Sequence, residues 1–295
     1  MHNWISELAK EKLELTLNDL ILPGTHNSAS YKLNLDNIYN LPIVSHIIEN
    51  WTLNQKWNIY QQLINGVRMF DIDISYFDSK FYTSHTFIAT ELEELIEDLK
   101  KYNDNFGDIY ILKFICRDNI NNDNVSNLAN ILMNNFQSRT ILPDTYSNVL
   151  NIPISTFIND KKNMIIYMEF HNHYFFNTGI YLYSSWTNDN EISNSISNNK
   201  KIIDKMNQLK THNSNLLTDL NWTLTPTYKE IIYGTFCCCD YYNIKSWIRK
   251  YNTMFFEFYS NNKNKFTNIN VISFDFINVN LISSIVSINK VDYIK

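Results

Sequence analysis

The sequence predicts a protein of the α/β class whose parallel strands close into an irregular barrel, and three observations support this prediction. The chain has 295 residues, too long for a typical single sandwich and suitable for one α/β barrel. Hydrophobic residues make up 44% and aromatic residues 15% of the chain, enough for a large core. Strand-like and helix-like segments alternate along the whole chain, with about eight strand-like segments.

The first part of the chain predicts three strands and a helix. Residues 15–22 read as a first strand that ends near Pro23 and Gly24. Residues 52–65 have helical spacing and stop at Gly66, a residue suited to a helix C-terminus. Residues 67–75 and 80–84 read as the second and third strands, because short runs of apolar and β-branched residues favour strands.

The middle of the chain continues the alternation. Thr90 is predicted to cap a helix, with Glu93 completing a capping box and an apolar stripe following it. Residues 109–116 are almost entirely apolar, as expected for a strand buried on both faces. Residues 125–136 have helical spacing.

The last part of the chain predicts four more strands, at residues 164–170, 180–184, 216–223 and 270–276. A long aromatic stretch at 241–259 predicts a helix before the last of them. The connection at 171–179 is too short for a full helix, so we expect the barrel to be irregular there.

An open doubly wound sheet is the alternative architecture. It is disfavoured because no G-x-G-x-x-G turn follows any predicted strand. No linker, internal repeat or second domain is recognised, so we expect residues 1–295 to form one domain. We also expect it to act as a monomer.

Charge and composition narrow the class of partner. The net charge of −5 does not match the strongly basic surface of a nucleic-acid-binding protein. The four cysteines, Cys116 and the run at 237–239, form a poor disulfide framework and predict reduced thiols in a cytoplasmic setting. No signal peptide and no apolar run of about 18–20 residues is recognised, so we expect membrane contact to be transient and peripheral.

The candidate catalytic residues follow the predicted strands. In barrels of this kind the active site lies at the carboxyl ends of the strands. His26 follows the first strand, Asp71 and Asp73 lie near the end of the second, and His85 ends the third. The two aspartates are two residues apart and therefore point to one face of their strand. We expect all four side chains to meet at one mouth of the barrel.

Two neighbouring buried carboxylates repel each other, and a divalent cation would relieve this repulsion. Asn27, Asp71 and Asp73 offer hard oxygen ligands, which suit Ca²⁺ or Mg²⁺. The histidines then remain available for proton transfer. Asp275 ends the last predicted strand, which neighbours the first in a closed barrel, and could there orient His26.

An ordered set of segments, rather than any one of them, resembles the X domain of phosphatidylinositol-specific phospholipase C, particularly the X-domain-only proteins. The set extends over most of the chain and comprises residues 4–8 (WISEL), 22–28 (LPGTHNS), 61–71 (QQLINGVRMFD), His85, 222–226 (WTLTP) and 274–276 (FDF).

The resemblance implies a distorted TIM (β/α)8 barrel that cleaves phosphatidylinositol lipids to diacylglycerol and cyclic inositol phosphate. It implies that His26 is the base that deprotonates the inositol 2-hydroxyl and that His85 is the acid that protonates the leaving oxygen. Many relatives carry arginine two residues after the position of Asp71, whereas the calcium-dependent members carry aspartate there. Asp73 and Asn27 therefore imply a calcium site. The fourth-strand glutamate of the calcium-dependent members is replaced here by Ile115.

Several assignments have alternatives. Asn27 could brace the loop, Asp275 could cap the final helix, and residues 40–51 could form either a packed helix or an amphipathic element on a membrane. Lys113 and Trp186 are candidates for substrate contact, Lys113 through phosphate and Trp186 by stacking on the sugar ring, although a core position is the alternative for Trp186.

Other motifs favour structural roles. Arg68 is predicted to form a structural ion pair. The motif His171-Asn172-His173 is predicted to be loop rather than a metal site, and Cys237–Cys239 to be packing. The rival functions are another barrel phosphodiesterase, such as a glycerophosphodiesterase or a sphingomyelinase D-like enzyme, and a lipid-binding protein with an inactive site.

Overall fold

A computed structural model of the chain describes residues 1–34, 42–117, 119–142, 145–146, 148–170, 173–175, 180–236 and 242–291. The strands are β1 (Leu22–Thr25), β2 (Met69–Phe77), β3 (Lys80–His85), β4 (Phe87–Glu91), β5 (Tyr110–Cys116), β6 (Met164–Phe170), β7 (His173–Phe175), β8 (Tyr181–Ser185), β9 (Leu216–Trp222) and β10 (Val271–Phe274). The α-helices are α1 (Trp4–Glu11), α2 (Pro42–Thr52), α3 (Ile59–Asn65), α4 (Leu92–Asn105), α5 (Asn122–Phe136), α6 (Ile154–Asn159), α7 (Ile192–His212), α8 (Tyr228–Phe236), α9 (Ile244–Asn262) and α10 (Val279–Val291).

The strands form one sheet in the order β7-β6-β5-β2-β1-β10-β9-β8. Every neighbouring pair from β6 to β8 along this path is parallel. The first strand, β1, lies between the second and the last, which is the order of a barrel and not of a doubly wound sheet. The protein therefore has the predicted α/β fold, a distorted TIM barrel.

The distortion is concentrated between β6 and β8. Strand β7 pairs with β6 in antiparallel orientation, and within the described residues no hydrogen-bonded pairing joins β7 or β6 to β8. The barrel is thus not closed by hydrogen bonds at this seam. The short connection predicted here lies partly outside the described residues, at 171–172 and 176–179.

A strand forms where the sequence predicts the third barrel strand, but the prediction that it continues the parallel barrel is wrong. Strand β3 runs antiparallel to β2, with Phe77 paired to Lys80 across a turn of Asp78 and Ser79. Both turn residues have positive φ angles, of 45° and 61°, as the tight turns of twisted hairpins require. Strand β4 adds to β3, so this hairpin projects from the barrel instead of continuing its wall.

The first strand also begins later in the chain than the sequence predicts. Residues Leu17–Asp19 form a 3₁₀ turn, in which the Asp19 carboxylate accepts hydrogen bonds from the backbone N–H and hydroxyl of Thr16, at 2.9 and 2.7 Å. The local side-chain bond competes with extended structure. The strand therefore starts at Leu22 and ends at Thr25, directly before His26.

Helices form in the regions where the sequence predicts them, but some of their first and last residues differ from the prediction. The apolar stripe of α4 is buried, but the cap is Glu91 rather than Thr90, because residues up to Glu91 belong to β4. The predicted helix at 52–65 is shorter, since α2 ends at Thr52 and α3 begins after its cap, Asn58. As predicted, α3 ends at Gly66, which has a φ of 107°.

A fully buried ion pair closes the amino end of the barrel. Arg68 at the start of β2 and Asp108 before β5 are both 0% exposed and approach to 2.8 Å. The guanidinium also donates to the backbone oxygen of His2, and Asp108 accepts from the backbone N–H of Ser6, so the pair anchors the N-terminal segment. The predicted structural role of Arg68 is confirmed. None of the helices in the described ranges is long and apolar enough to cross a membrane.

Gly66 provides a test of the backbone requirement at the end of α3. In Gly66→Ala the new Cβ would lie 3.0 Å from Cγ2 of Ile282, in a backbone conformation that side chains rarely adopt. We expect this variant to lose about 1–2 kcal/mol of unfolding free energy in denaturant titrations. Gly107→Ala is the matched control, because nothing lies within 4 Å of its Cβ position. Equal stability of the two variants would contradict the argument.

Candidate active site

The close packing of β1 against β10 positions the first histidine. At Gly24 a Cβ would lie 2.6 Å from Oγ of Ser273, so only glycine permits this approach. Just beyond, the backbone N–H of His26 donates to the carbonyl of Phe274 at 3.1 Å. The next residue of that strand end, Asp275, places Oδ1 2.9 Å from Nδ1 of His26. The structure thus brings the predicted His26–Asp275 pair together.

Asp275 changes the acidity of His26. Burial alone would lower the pKa of His26, but the charge and hydrogen bond of Asp275, with smaller contributions from Asp71 and Asp73, raise it to about 9. The Asp275 side chain is only 1% exposed, so its charge is little screened. The alternative that Asp275 caps the final helix is not what the structure shows, since Asn278 accepts the hydrogen bond from Leu281 at the start of α10.

The second histidine, His85, is the last residue of β3, the second strand of the hairpin. Strand β3 runs back from Phe77, the last residue of β2, until Ser84 pairs with Asp73, and this places His85 beside the two aspartates. The rings of His26 and His85 have centroids 6.3 Å apart and planes at 73°. Burial lowers the pKa of His85, the positive charge of His26 lowers it further, and the result is about 4. Two histidines with opposite pKa shifts therefore face each other across a short gap.

Asn27 lies between the two histidines. Its φ of 45° is a left-handed conformation that asparagine tolerates better than most residues. Its Nδ2 lies 3.2 Å from Nε2 of His26 and 3.4 Å from Nε2 of His85. The side chain therefore contacts the candidate acid and base directly.

Two buried glutamines hold the loop that carries His26, and the sequence analysis assigned them no role. Nε2 of Gln55 donates to the carbonyl oxygens of His26 and Phe274, at 2.8 and 2.9 Å. Nε2 of Gln62 donates to the carbonyl of Ser28 at 2.7 Å, and Oγ of Ser28 accepts from the backbone N–H of Asp71 at 2.8 Å. These bonds tie the β1 loop to β2 and β10.

Asp71 is compensated by a lysine on the next strand. It lies opposite Lys113 in the β2–β5 register, and Nζ of Lys113 is 3.1 Å from Oδ1 of Asp71. Burial would raise the pKa of Asp71, but the charge of Lys113 and that of His26 lower it below its usual range. Burial would likewise lower the pKa of Lys113, but Asp71 raises it. Both groups are therefore held in their charged forms.

Asp73 is compensated by an arginine that the sequence analysis missed. Arg117 directly follows β5, and its Nε lies 3.0 Å from Oδ1 of Asp73. Burial and the charge of Asp71 raise the pKa of Asp73, the guanidinium opposes them, and the result is about 6. The signal in the sequence was a basic residue immediately after a buried strand, on the strand that neighbours β2.

These pairings decide how well the site fits a divalent cation. Asp71 and Asp73 face Lys113 and Arg117, and the amide nitrogen of Asn27 faces the histidines. The predicted Ca²⁺ or Mg²⁺ site at Asn27, Asp71 and Asp73 thus stays a prediction, and the residues as placed do not fit it.

Asp219 is a further acid inside the barrel, near Lys113 and Asp71. Asp219 on β9 is fully buried and accepts hydrogen bonds from Oγ of Ser273 and of Ser184, at 2.7 and 2.9 Å. Burial raises its pKa. The sequence analysis missed it because a single acid within a strand resembles many surface positions. Trp186 follows β8 and is 51% exposed. His171, Asn172 and Cys237–Cys239 lie outside the described residues.

Comparison with known sequences gives two matches to curated proteins. The chain is 27% identical over 117 residues to a PI-PLC X-box domain-containing protein of Dictyostelium discoideum, covering 37% of the chain and 16% of that protein. It is 27% identical over 108 residues to a PI-PLC X domain-containing protein of the same organism, covering 34% of the chain and 19% of that protein. The chain therefore matches only a small part of these relatives. No protein-family model matches the sequence.

Comparison with solved structures covers nearly the whole chain. Phosphatidylinositol-specific phospholipase C from Listeria monocytogenes superposes with a TM-score of 0.70 at 17% identity, over 97% of each chain. A variant of the Staphylococcus aureus enzyme superposes with a TM-score of 0.66 at 16% identity, over 96% of this chain and 97% of that one. The resemblance to the X domain of phosphatidylinositol-specific phospholipase C is thus confirmed, in sequence over part of the chain and in fold over almost all of it.

Proposed function

We propose that the protein is a phospholipase C-like phosphodiesterase that cleaves phosphatidylinositol lipids at a membrane surface. The observation that supports this most directly is the pair His26–Asp275 facing His85 across 6.3 Å, with charged pairs beside the gap. A base, an acid and nearby positive charge are the groups that phosphodiester cleavage requires. The similarity in fold to bacterial phosphatidylinositol-specific phospholipases C supports the same assignment.

The proposed reaction has two steps. In the first, His26 takes the proton of the inositol 2-hydroxyl, whose oxygen forms a bond to phosphorus. The bond from phosphorus to the glycerol oxygen breaks, and His85 donates a proton to that oxygen, which leaves with diacylglycerol. The product is a cyclic inositol phosphate. In the second step, water attacks phosphorus with the histidine roles reversed, and the ring opens.

The pKa values of the two histidines indicate which of the two steps the unliganded site is already protonated for. With pKa values of about 9 for His26 and about 4 for His85, the unliganded site at neutral pH holds its proton on His26. This is the state in which His85 can act as base and His26 as acid, as ring opening requires. The first step needs the reverse state, and an anionic phosphodiester beside His85 favours it by stabilising the imidazolium.

Two further residues are proposed to contact the substrate. Lys113 lies inside the mouth, where its ammonium, already paired with Asp71, can also attract the phosphate or a hydroxyl of the headgroup. Trp186 follows β8 with half of its side chain exposed, which leaves its ring accessible for stacking on the sugar. A cytoplasmic location and a monomeric state stay predictions.

An apolar surface next to the site is proposed to meet the membrane. Helix α8 exposes four large side chains, namely Tyr228, Ile232, Tyr233 and Phe236. Tyr242 is also exposed and lines a cavity together with Phe236. Helix α2 lies beside them: Trp51 donates to Oγ1 of Thr235, and a cavity of about 580 Å³ separates the two helices. Aromatic residues of this kind favour the interface between water and lipid. Of the two alternatives for residues 40–51, this proposal takes the amphipathic element on a membrane, with residues 40–41 outside the described residues.

The histidine assignments predict large losses of turnover. We expect His26→Ala and His85→Ala each to lower kcat by about 10²–10⁴-fold, because each removes a proton-transfer group. The measurement is ³¹P NMR of cyclic inositol phosphate released from phosphatidylinositol vesicles. His212→Ala, an exposed histidine at the end of α7, is the control and should keep wild-type turnover. Vesicle binding without any turnover of the wild type would instead indicate a lipid-binding protein.

The His26–Asp275 pair predicts a measurable change in acidity. In Asp275→Asn we expect the NMR titration midpoint of His26 to fall from about 9 by one unit or more, because the charge that stabilises the imidazolium is lost. In the wild type the pair stabilises the fold fully below pH 6.5, and this contribution disappears as the pH rises through about 9. Asp204→Asn, in an exposed ion pair, should leave the midpoint unchanged. An unshifted midpoint in Asp275→Asn would refute the pairing.

The membrane surface predicts a selective loss of vesicle binding. In a His26→Ala background, which prevents turnover, Phe236→Ala should weaken partitioning to phosphatidylinositol vesicles about tenfold in sedimentation assays, because a ring leaves the lipid interface. Leu13→Ala is the control, since Leu13 is 67% exposed and Phe236 is 76% exposed. Equal effects of the two substitutions would show that this surface does not contact lipid.

A further inference from the structure

Building on the proposed function, we propose that Arg117 binds the substrate phosphate and provides the positive charge that a cation would otherwise supply, so that the reaction requires no divalent cation. Its Nε lies 3.0 Å from Oδ1 of Asp73. Arg117 and His85 line the same cavity of about 360 Å³, together with Asp73 and Ser84. The guanidinium therefore borders the space that a phosphodiester in contact with His85 occupies.

The backbone holds Arg117 at the mouth. Residues Ile115 and Cys116 pair with Asp73 and Ile74 in the β2–β5 register. The backbone N–H of Arg117 then donates to the carbonyl of Ile74 at 2.8 Å, which extends the pairing by one residue. The side chain reaches back to Asp73 from this fixed point. Arg117 is thus positioned by the sheet as well as by its carboxylate partner.

The orientation of the guanidinium leaves an edge for an anion. Nε donates to Oδ1 of Asp73, and the two terminal nitrogens donate to no other group in the described part of the chain. The side chain is 51% exposed and lines the cavity. Two N–H groups on one edge of a guanidinium match two oxygens of a phosphate. Asp73 acts here as a positioning residue that fixes the other edge.

The charge balance of the site removes the need for a cation. The two carboxylates, Asp71 and Asp73, are matched by Lys113 and Arg117 at 3.1 and 3.0 Å. A divalent ion at these carboxylates would have to displace both basic side chains and would leave Lys113, which is 9% exposed, without its partner. Burying an unpaired charge is unfavourable. An anionic substrate, in contrast, adds to the existing pairs without displacing them.

The kinetic test compares Arg117→Gln, Arg117→Lys and the control Arg249→Gln, an exposed arginine on α9. Turnover of phosphatidylinositol vesicles is measured with excess EDTA and with excess CaCl₂. We expect the wild type and Arg249→Gln to turn over equally in both conditions. Arg117→Gln should lose about 10²–10³-fold in kcat, and Arg117→Lys should retain an intermediate rate, because lysine keeps the charge but not the paired donors. Wild-type turnover that EDTA abolishes and CaCl₂ restores would overturn the proposal.

A binding test separates this proposal from the proposed function. Calorimetric titration with myo-inositol 1-phosphate should show at least tenfold weaker binding to Arg117→Gln, while any binding of myo-inositol, which lacks the phosphate, should be unchanged. If the wild type lacks turnover but binds myo-inositol 1-phosphate at least tenfold more tightly than Arg117→Gln does, the proposed function fails and the phosphate role of Arg117 stands. If the wild type has turnover and Arg117→Gln retains both activity and affinity, the role of Arg117 fails and the function stands. No phosphate binding by the wild type overturns the proposal.

Discussion

The repulsion between two acids on one strand is the constraint on which the active site depends. Asp71 and Asp73 point to the same face of β2 at the barrel mouth, where low exposure strengthens their interaction. The structure relieves this repulsion with basic side chains from the neighbouring strand, Lys113 and Arg117. Around the gap between His26 and His85, Asp275 raises the pKa of His26, and Asp71 and Asp73 add smaller contributions. This arrangement is the basis for the proposal that the site takes an anionic phosphate at Arg117 and needs no metal.

Much of the architecture could be predicted from the sequence, because a barrel places the carboxyl ends of its parallel strands at one mouth and its last strand beside its first. The adjacency of His26 and Asp275 followed from the neighbouring first and last strands of a barrel. The pairing of Asp73 with Arg117 could not be predicted, because hydrophobic periodicity does not specify how far one parallel strand is shifted against the next. On resemblance, an aspartate at position 73 implied a calcium site. In the structure an arginine reaches the same place from β5.

The direction of β3 in the hairpin is a second feature that the sequence pattern does not specify. An apolar–polar alternation looks the same in a parallel barrel strand and in an antiparallel arm, so the direction of β3 was open. The dipeptide Asp78-Ser79 between two strand-like runs, residue types that favour turns, was the local signal that could have revealed it. Gln55 and Gln62 were missed for a related reason: whether a glutamine braces a loop depends on carbonyl oxygens that tertiary folding brings to it.

The separation of His26 and Asp275 along the chain has a consequence for biosynthesis. The two residues are 249 positions apart, and they meet only after β10 has docked beside β1. A nascent chain that has not yet emerged from the ribosome as far as β10 contains both histidines but not the carboxylate partner of the first. Translation itself thus delays assembly of the site until the last strand is made.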